Sequence, residues 1–151
     1  MISAGEQAMS SNTWAAKHIF PTVSQAAAPA VEELLERLRA EQWNEHDIFS
    51  IHLALEEAIS NAMEHGNGWD AAKEVELVMQ YTPDVVRVEI ADQGRGFDPA
   101  AVPDPRSEDR LEIPRGRGLL IMRSYMTNVH FLDAGRRLVL EKCRGANSHV
   151  A

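Results

Sequence analysis

"VELVMQYTPDVVRVEIADQGRGFDP", residues 75–99, is the stretch on which the reading of this chain turns. Val75, Leu77, Met79 and Tyr81 alternate along its first part, and Val86, Val88 and Ile90 along its second. A period of two puts each set on one face of a strand, and "TPD" between them supplies turn residues. The stretch therefore predicts a β-hairpin ending at Asp92. Gly94 and Gly96 follow two apart, and then Pro99. A strand end followed by glycines is most often a turn. Whether it is more depends on its surroundings.

Downstream, residues 97–115 show no period and contain Pro99, Pro103, Pro105 and Pro114. A loop this long inside a compact domain is usually functional or disordered. "GRGLLIMRSYM" (116–126) reads as glycines leading into a helix, and "NVHFL" and "RLVLEKC" joined by "DAGR" as a closing hairpin. Upstream, Ile48, Ile51, Leu55, Ala58, Ile59 and Ala62 form one stripe at steps of three and four. Asp47 is placed to cap that helix, and "HGNG" (65–68) to end it. Val31, Leu34, Leu35 and Leu38 repeat likewise between Ala30 and Trp43, with Pro29 where a helix can begin. "HIFPTV" (18–23) reads as a short first strand that Pro21 confines to an edge.

The order β-α-α-β-β-loop-α-β-β implies an α+β fold, a two-layer sandwich with helices on one face of a mostly antiparallel sheet. One domain is expected over residues 16–145. A flexible N-terminal tail is expected at residues 1–15 and a C-terminal tail at residues 146–151.

With 151 residues, 44% hydrophobic and 25% charged, the chain suits one globular domain. Its formal net charge of −8, without a dense Lys/Arg tract, argues against direct nucleic-acid or membrane binding. Cys143 is the sole cysteine, so neither an internal disulfide nor a cysteine zinc site is expected. No apolar run approaches the ~20 residues a bilayer needs, and no secretory signal opens the chain. A cytoplasmic location is expected.

Glu57 and Asn61 are four apart, so they stack on one side of their helix, away from the centre of the apolar stripe. Alone, such a pair reads as a solvated face. Together and in order, "EEAISNAMEHG", "DQGRGFDP", the long loop and "GRGLLIM" resemble the N, G1 and G2 boxes of the GHKL ATPase/kinase superfamily. The resemblance covers residues 18–143 and implies its Bergerat fold. It also implies ATP and Mg²⁺ as cofactors. It assigns Asp92 to the adenine amino group, Asn61 to the Mg²⁺ ion, and Gly116 and Gly118 to backbone close to the phosphates. Gly94 and Gly96 would keep Cβ atoms out of the space that purine and ribose need. Residues 98–115 would form a lid over the nucleotide, with Arg106, Arg110, Arg115 and Arg117 as candidates for phosphate contact.

Within the superfamily, "E-A-x-x-N-A-x-x-H-G" (57–66) and "GRGLLIMRSYMTNV" resemble the anti-sigma-factor serine/threonine kinases. None of the six histidines lies on a separate phospho-acceptor element, and no transducer domain is expected after the last strand. The resemblance makes Glu57 the base that accepts the proton of the substrate serine. It implies an anti-anti-sigma protein of the STAS class as partner, a sigma factor as a further one, and a homodimer. Some members carry an arginine where Pro114 stands, and here the arginine is next door at Arg115. Two readings stay open: a protein serine/threonine kinase, or an ATP-binding module that sequesters its partner without significant transfer.

Overall fold

The computed structural model describes residues 6–10, 12–95 and 114–145, with the backbone alone at 6–10 and 114–116. Six strands form one sheet in the order β1-β2-β3-β4-β6-β5, every neighbouring pair antiparallel. The strands are β1 Glu6–Ser10, β2 Thr13–Pro21, β3 Glu74–Tyr81, β4 Val85–Ala91, β5 Asn128–Leu132 and β6 Arg137–Cys143. The helices are α1 Ala28–Ala40, α2 Glu45–Asn61 and α3 Pro114–Tyr125. This is the expected α+β two-layer arrangement.

The alternation that predicts the central hairpin also sets its packing. Val75, Leu77, Met79 and Tyr81 of β3 and Val86, Val88 and Ile90 of β4 are buried against the helices. Leu34, Leu35 and Leu38 of α1 and Ile51, Ala54, Leu55 and Ala58 of α2 cover them, each at most 1% exposed. Fully burying a side chain of this kind contributes about 1.5–3 kcal/mol. The opposite face of the sheet carries charge. Lys17, Glu76, Arg137, Glu89, Arg87 and Glu141 form a chain of ion pairs across four strands, with N–O distances of 3.0–3.4 Å. Val139 lies among them, fully buried yet outside the helix-covered core.

The N-terminal segment differs from expectation. Within the expected tail, residues 6–10 form β1 and residues 13–15 begin β2. Trp14 is 2% exposed, its ring 5.8 Å from that of Tyr81, with the Arg37 guanidinium 4.7 Å above it. Small residues at Ala15 and Ala16 hide the alternation that Trp14, Ala16 and Phe20 follow. Pro21 keeps its edge character within a strand that is second in the sheet. The outer neighbour β1 pairs only with residues 13–16, so the stretch holding Pro21 has a partner on one side alone among the described residues.

Three further boundaries move. Helix α2 is capped by Asn44, whose Oδ1 accepts the Asp47 N–H at 2.7 Å, and not by Asp47, which is buried. Its C-terminus does not stop at "HGNG" but loosens into a π-helical turn, Ala62–Gly66, closed by Asn67 N–H to the Ala62 carbonyl at 2.8 Å. Gly68 takes the expected left-handed conformation, φ +58°, and Trp69 does so too at +59°. Finally, the chain is already helical at Pro114, so "GRG" (116–118) lies inside α3 and not ahead of it. Gly96 and residues 98–113 of the expected lid lie outside the described residues.

Candidate functional site

Helix α2 packs beside α3, and the two helices run antiparallel. At one end Phe49 and Tyr125 meet edge to face, ring centroids 6.0 Å apart. At the other end Gly118 lies against Glu57 and Asn61. A Cβ built on Gly118 would sit 3.0 Å from Asn61 Nδ2 and 3.1 Å from Glu57 Oε2. The sequence pattern puts Glu57 and Asn61 on one helix face, and the fold adds the reason for a glycine opposite them. A side chain at 118 would crowd both polar heads.

Beside this meeting point opens a pocket with about 360 Å³ of empty space, part of it open to solvent. Ala58, Ala62, Ile90, Leu119, Phe131 and Leu138 give it apolar walls. Asn61, Asp92 and Arg136 supply its polar side chains. An apolar slot with a few convergent polar groups suits a flat heteroaromatic ring whose edge must be read. The π-helical turn adjoins it, and such turns recur at functional sites.

Asp92 is fixed from several directions. Its Oδ1 accepts the Gly94 N–H at 2.8 Å, and its own N–H donates to the Arg136 carbonyl at 2.9 Å. Gly66 lies directly on its carboxyl group, so that any Cβ there would overlap the Asp92 side chain. Gly94 in turn lies on the Gly66 carbonyl oxygen. At Gly94 the fold adds a reason of its own, because the missing Cβ makes room for Gly66 backbone. Arg117 is exposed on α3, and Arg115 and Gly116 are described in backbone only.

Three contributors are not visible in the sequence reading. The β5–β6 turn "DAGR" reads as a plain hairpin connection. It holds three consecutive left-handed residues, Asp133, Ala134 and Gly135, at φ +53°, +56° and +85°. Gly135 and Arg136 line the cavity. Arg136 also donates to the Arg95 carbonyl at 3.2 Å. Backbone strain of this kind gathers at ligand clamps. The second contributor is Gly66 and the third is Asn67, both inside "HGNG". On the other side of α2 an open groove of about 610 Å³, lined in part by Glu56, Ile59, Ser60, Met63 and Trp69, holds none of the expected site residues. Among the described residues, no helix is long and apolar enough to cross a membrane.

Known proteins resemble this chain in sequence and in fold. The chain is 31% identical over 100 residues to the serine/threonine-protein kinase BtrW of Bordetella bronchiseptica, covering 64% of this chain and 68% of that protein. Its fold matches a crystal structure of the RsbU and RsbW domains of Rv1364c from Mycobacterium tuberculosis with a TM-score of 0.58 at 17% identity. That match takes in 91% of this chain but only 34% of the mycobacterial one, so this chain spans about a third of its length. The pattern of the histidine kinase-like ATPase domain matches residues 20–142, from within β2 to within β6, and so takes in the cavity and every strand and helix that frames it. By the extent of that match, the chain belongs to the histidine kinase-like ATPase domain family.

Proposed function

We propose that this chain is an ATP-dependent serine/threonine kinase and anti-sigma factor whose substrate is an anti-anti-sigma protein of the STAS class. The observation that carries the reading is the meeting of Glu57, Asn61 and Gly118 beside a cavity that Asn61 and Asp92 line. The likeness to a serine/threonine-protein kinase supports the same chemistry.

Each residue then has one task. Asp92 accepts a hydrogen bond from the adenine amino group, as a carboxylate that can only accept selects an exocyclic amine. Asn61 offers a single amide oxygen, which fits a Mg²⁺ ion that takes few protein ligands and completes its shell with phosphate and water. Bound there, the ion would neutralise charge on the phosphates. Gly118 keeps the space around Asn61 and Glu57 clear. Arg115 and Arg117, with the backbone of Gly116, belong to the helix end that faces the phosphate chain. Glu57 takes the proton from the substrate serine as its oxygen bonds to the γ-phosphorus and ADP departs. Positioning and charge neutralisation supply most of the rate in such transfers.

The test is a pattern across two variants. Glu57→Gln keeps Mg-ATP affinity within a few-fold of wild type, while phosphate transfer to a STAS-class protein falls about 10²–10⁴-fold. Asn61→Ala loses Mg²⁺-dependent binding and transfer together. Transfer by Glu57→Gln at the wild-type rate removes Glu57 from the role of base. A wild-type protein that binds the STAS partner with ATP yet transfers nothing is a sequestering module and not a kinase.

A further inference from the structure

We propose that Asn67 is a positioning residue for nucleotide recognition. Its buried amide holds the backbone at Gln93, and through it keeps the neighbouring Asp92 carboxylate fixed in the cavity. The inference rests on the adenine reading of Asp92 given above.

Asn67 is 2% exposed and follows the π-helical turn directly. Its Oδ1 accepts the Gln93 N–H at 2.8 Å. Its Nδ2 donates to the Glu74 carbonyl at 3.0 Å and to Thr22 Oγ1 at 2.8 Å. The Gln93 side chain returns to the same place, its Oε1 accepting the Glu74 N–H at 2.7 Å. Asn67, Gln93 and Glu74 thereby form a closed ring of hydrogen bonds. The ring joins the end of α2 to the start of β3 and to the segment after β4.

Only one orientation of the amide satisfies this ring. Turned over, it sets N–H against N–H at Gln93 and oxygen against oxygen at Glu74. An aspartate of the same shape could not donate to the Glu74 carbonyl. The site thus demands an acceptor and a double donor on one small side chain, which is asparagine.

The consequence lies one residue away. A carboxylate separates adenine from guanine because the first presents an amine where the second presents an oxygen. That separation holds only while the carboxylate cannot swing aside. Asp92 has Gln93 as its next residue and Gly94 as its hydrogen-bond donor. Releasing Gln93 frees the segment that aims it.

The experiment compares wild type with Asn67→Ala and Thr22→Val in two readouts. One is backbone amide exchange at residues 92–95 without nucleotide. The other is calorimetric affinity for Mg-ATP and Mg-GTP. Thr22→Val removes the Thr22 bonds to Asn67 and to the Lys73 carbonyl but leaves the Gln93 link, so it controls for stability alone. In Asn67→Ala the Gln93 amide exchanges about tenfold faster and the preference for ATP over GTP falls about tenfold, the scale of one lost hydrogen bond. Thr22→Val lowers the melting temperature and changes neither readout. Gln93→Ala opens the ring at an exposed residue, gives a smaller change of the same kind, and takes over if Asn67→Ala does not fold. Unchanged exchange at Gln93 in Asn67→Ala overturns the proposal, as does a preference that falls equally in Thr22→Val. A wild type that binds neither nucleotide overturns the adenine reading and the recognition half of the proposal with it, while the exchange readout still decides whether Asn67 holds Gln93.

Discussion

The two ends of helix α2 are built on opposite plans. At the N-terminal end Asn44, Asp47 and Arg144 are each closed on a partner from the same fold. Asn44 caps the helix. Asp47, 1% exposed, accepts the Gly145 N–H at 2.7 Å and lies 3.9 Å from the ammonium of fully buried Lys142. Arg144 donates to the carbonyls of Glu41, Gln42 and Pro83 and lies 5.2 Å over the Trp43 ring. At the C-terminal end the helix loosens into a π-helical turn. Glu57 and Asn61 converge on a glycine there, and a cavity opens beside them. One end fastens the helix to the last strand, and the other leaves polar heads facing space. The contrast teaches that stability and chemistry are separated along a helix of 17 residues.

Substitutions at the closed end should therefore change unfolding and spare binding. The largest expected effect is from Asp47→Ala. It removes the carboxylate beside the buried Lys142 ammonium and the acceptor of the Gly145 N–H, and breaking a buried pair from one side costs about 3–5 kcal/mol. Urea unfolding at neutral pH measures that cost, and nucleotide affinity of the folded protein should stay within about twofold of wild type. A cost below about 1 kcal/mol, typical of surface pairs, would break the comparison.

Gly94→Ala sharpens it from the other end. The new Cβ would overlap the Gly66 carbonyl oxygen, and backbone on both sides must move. Overpacking of this kind costs about 1–3 kcal/mol in stability. Nucleotide affinity should fall by about tenfold or more as Asp92 shifts with the segment. Unaltered affinity would detach this segment from the site.

The smallest effect belongs to neither end. On the open face of the sheet, burial alone would raise the Glu76 carboxyl pKa. The Arg137 hydrogen bond and charge, with Lys17 beside them, outweigh it and hold the pKa below its ordinary value. A carboxyl whose folded pKa is depressed stabilises the fold above its unfolded pKa, and that contribution is lost as pH falls through the lower folded value. Glu76→Gln should flatten this acid dependence of stability and leave nucleotide affinity at neutral pH unchanged. The groups are partly exposed, so the effect is modest.

Much of this arrangement is legible in the sequence because it rests on period. The alternation in β3 and β4 and the stripe on α2 give the layers, and the spacing of Glu57 and Asn61 gives the shared face. Contacts between distant segments leave no such mark. Gly66 and Gly94 matter because a Cβ on Gly66 would overlap the Asp92 carboxyl group and one on Gly94 the Gly66 carbonyl oxygen, and one sequence alone cannot reveal those contacts. Asn67 reads as part of a helix end, since its three partners come from the residue after β2, from β3 and from the segment after β4. "DAGR" reads as a hairpin turn, because only folding sets Arg136 beside Asp92. The first strands stay hidden behind small residues. Asp47 looks like a cap because its real partners, Lys142 and Gly145, lie more than 90 residues away.

The central claim is that the open end of α2 binds ATP with Asp92 reading the base. Calorimetric titration of Mg-ATP into wild type and Asp92→Asn tests it most directly. The account expects saturable binding by wild type and a weakening of about 1–3 kcal/mol in the variant, whose amide can present an N–H to the adenine amine and leave it unsatisfied. Equal affinities in two folded proteins, or no binding by wild type at millimolar Mg-ATP, would contradict it.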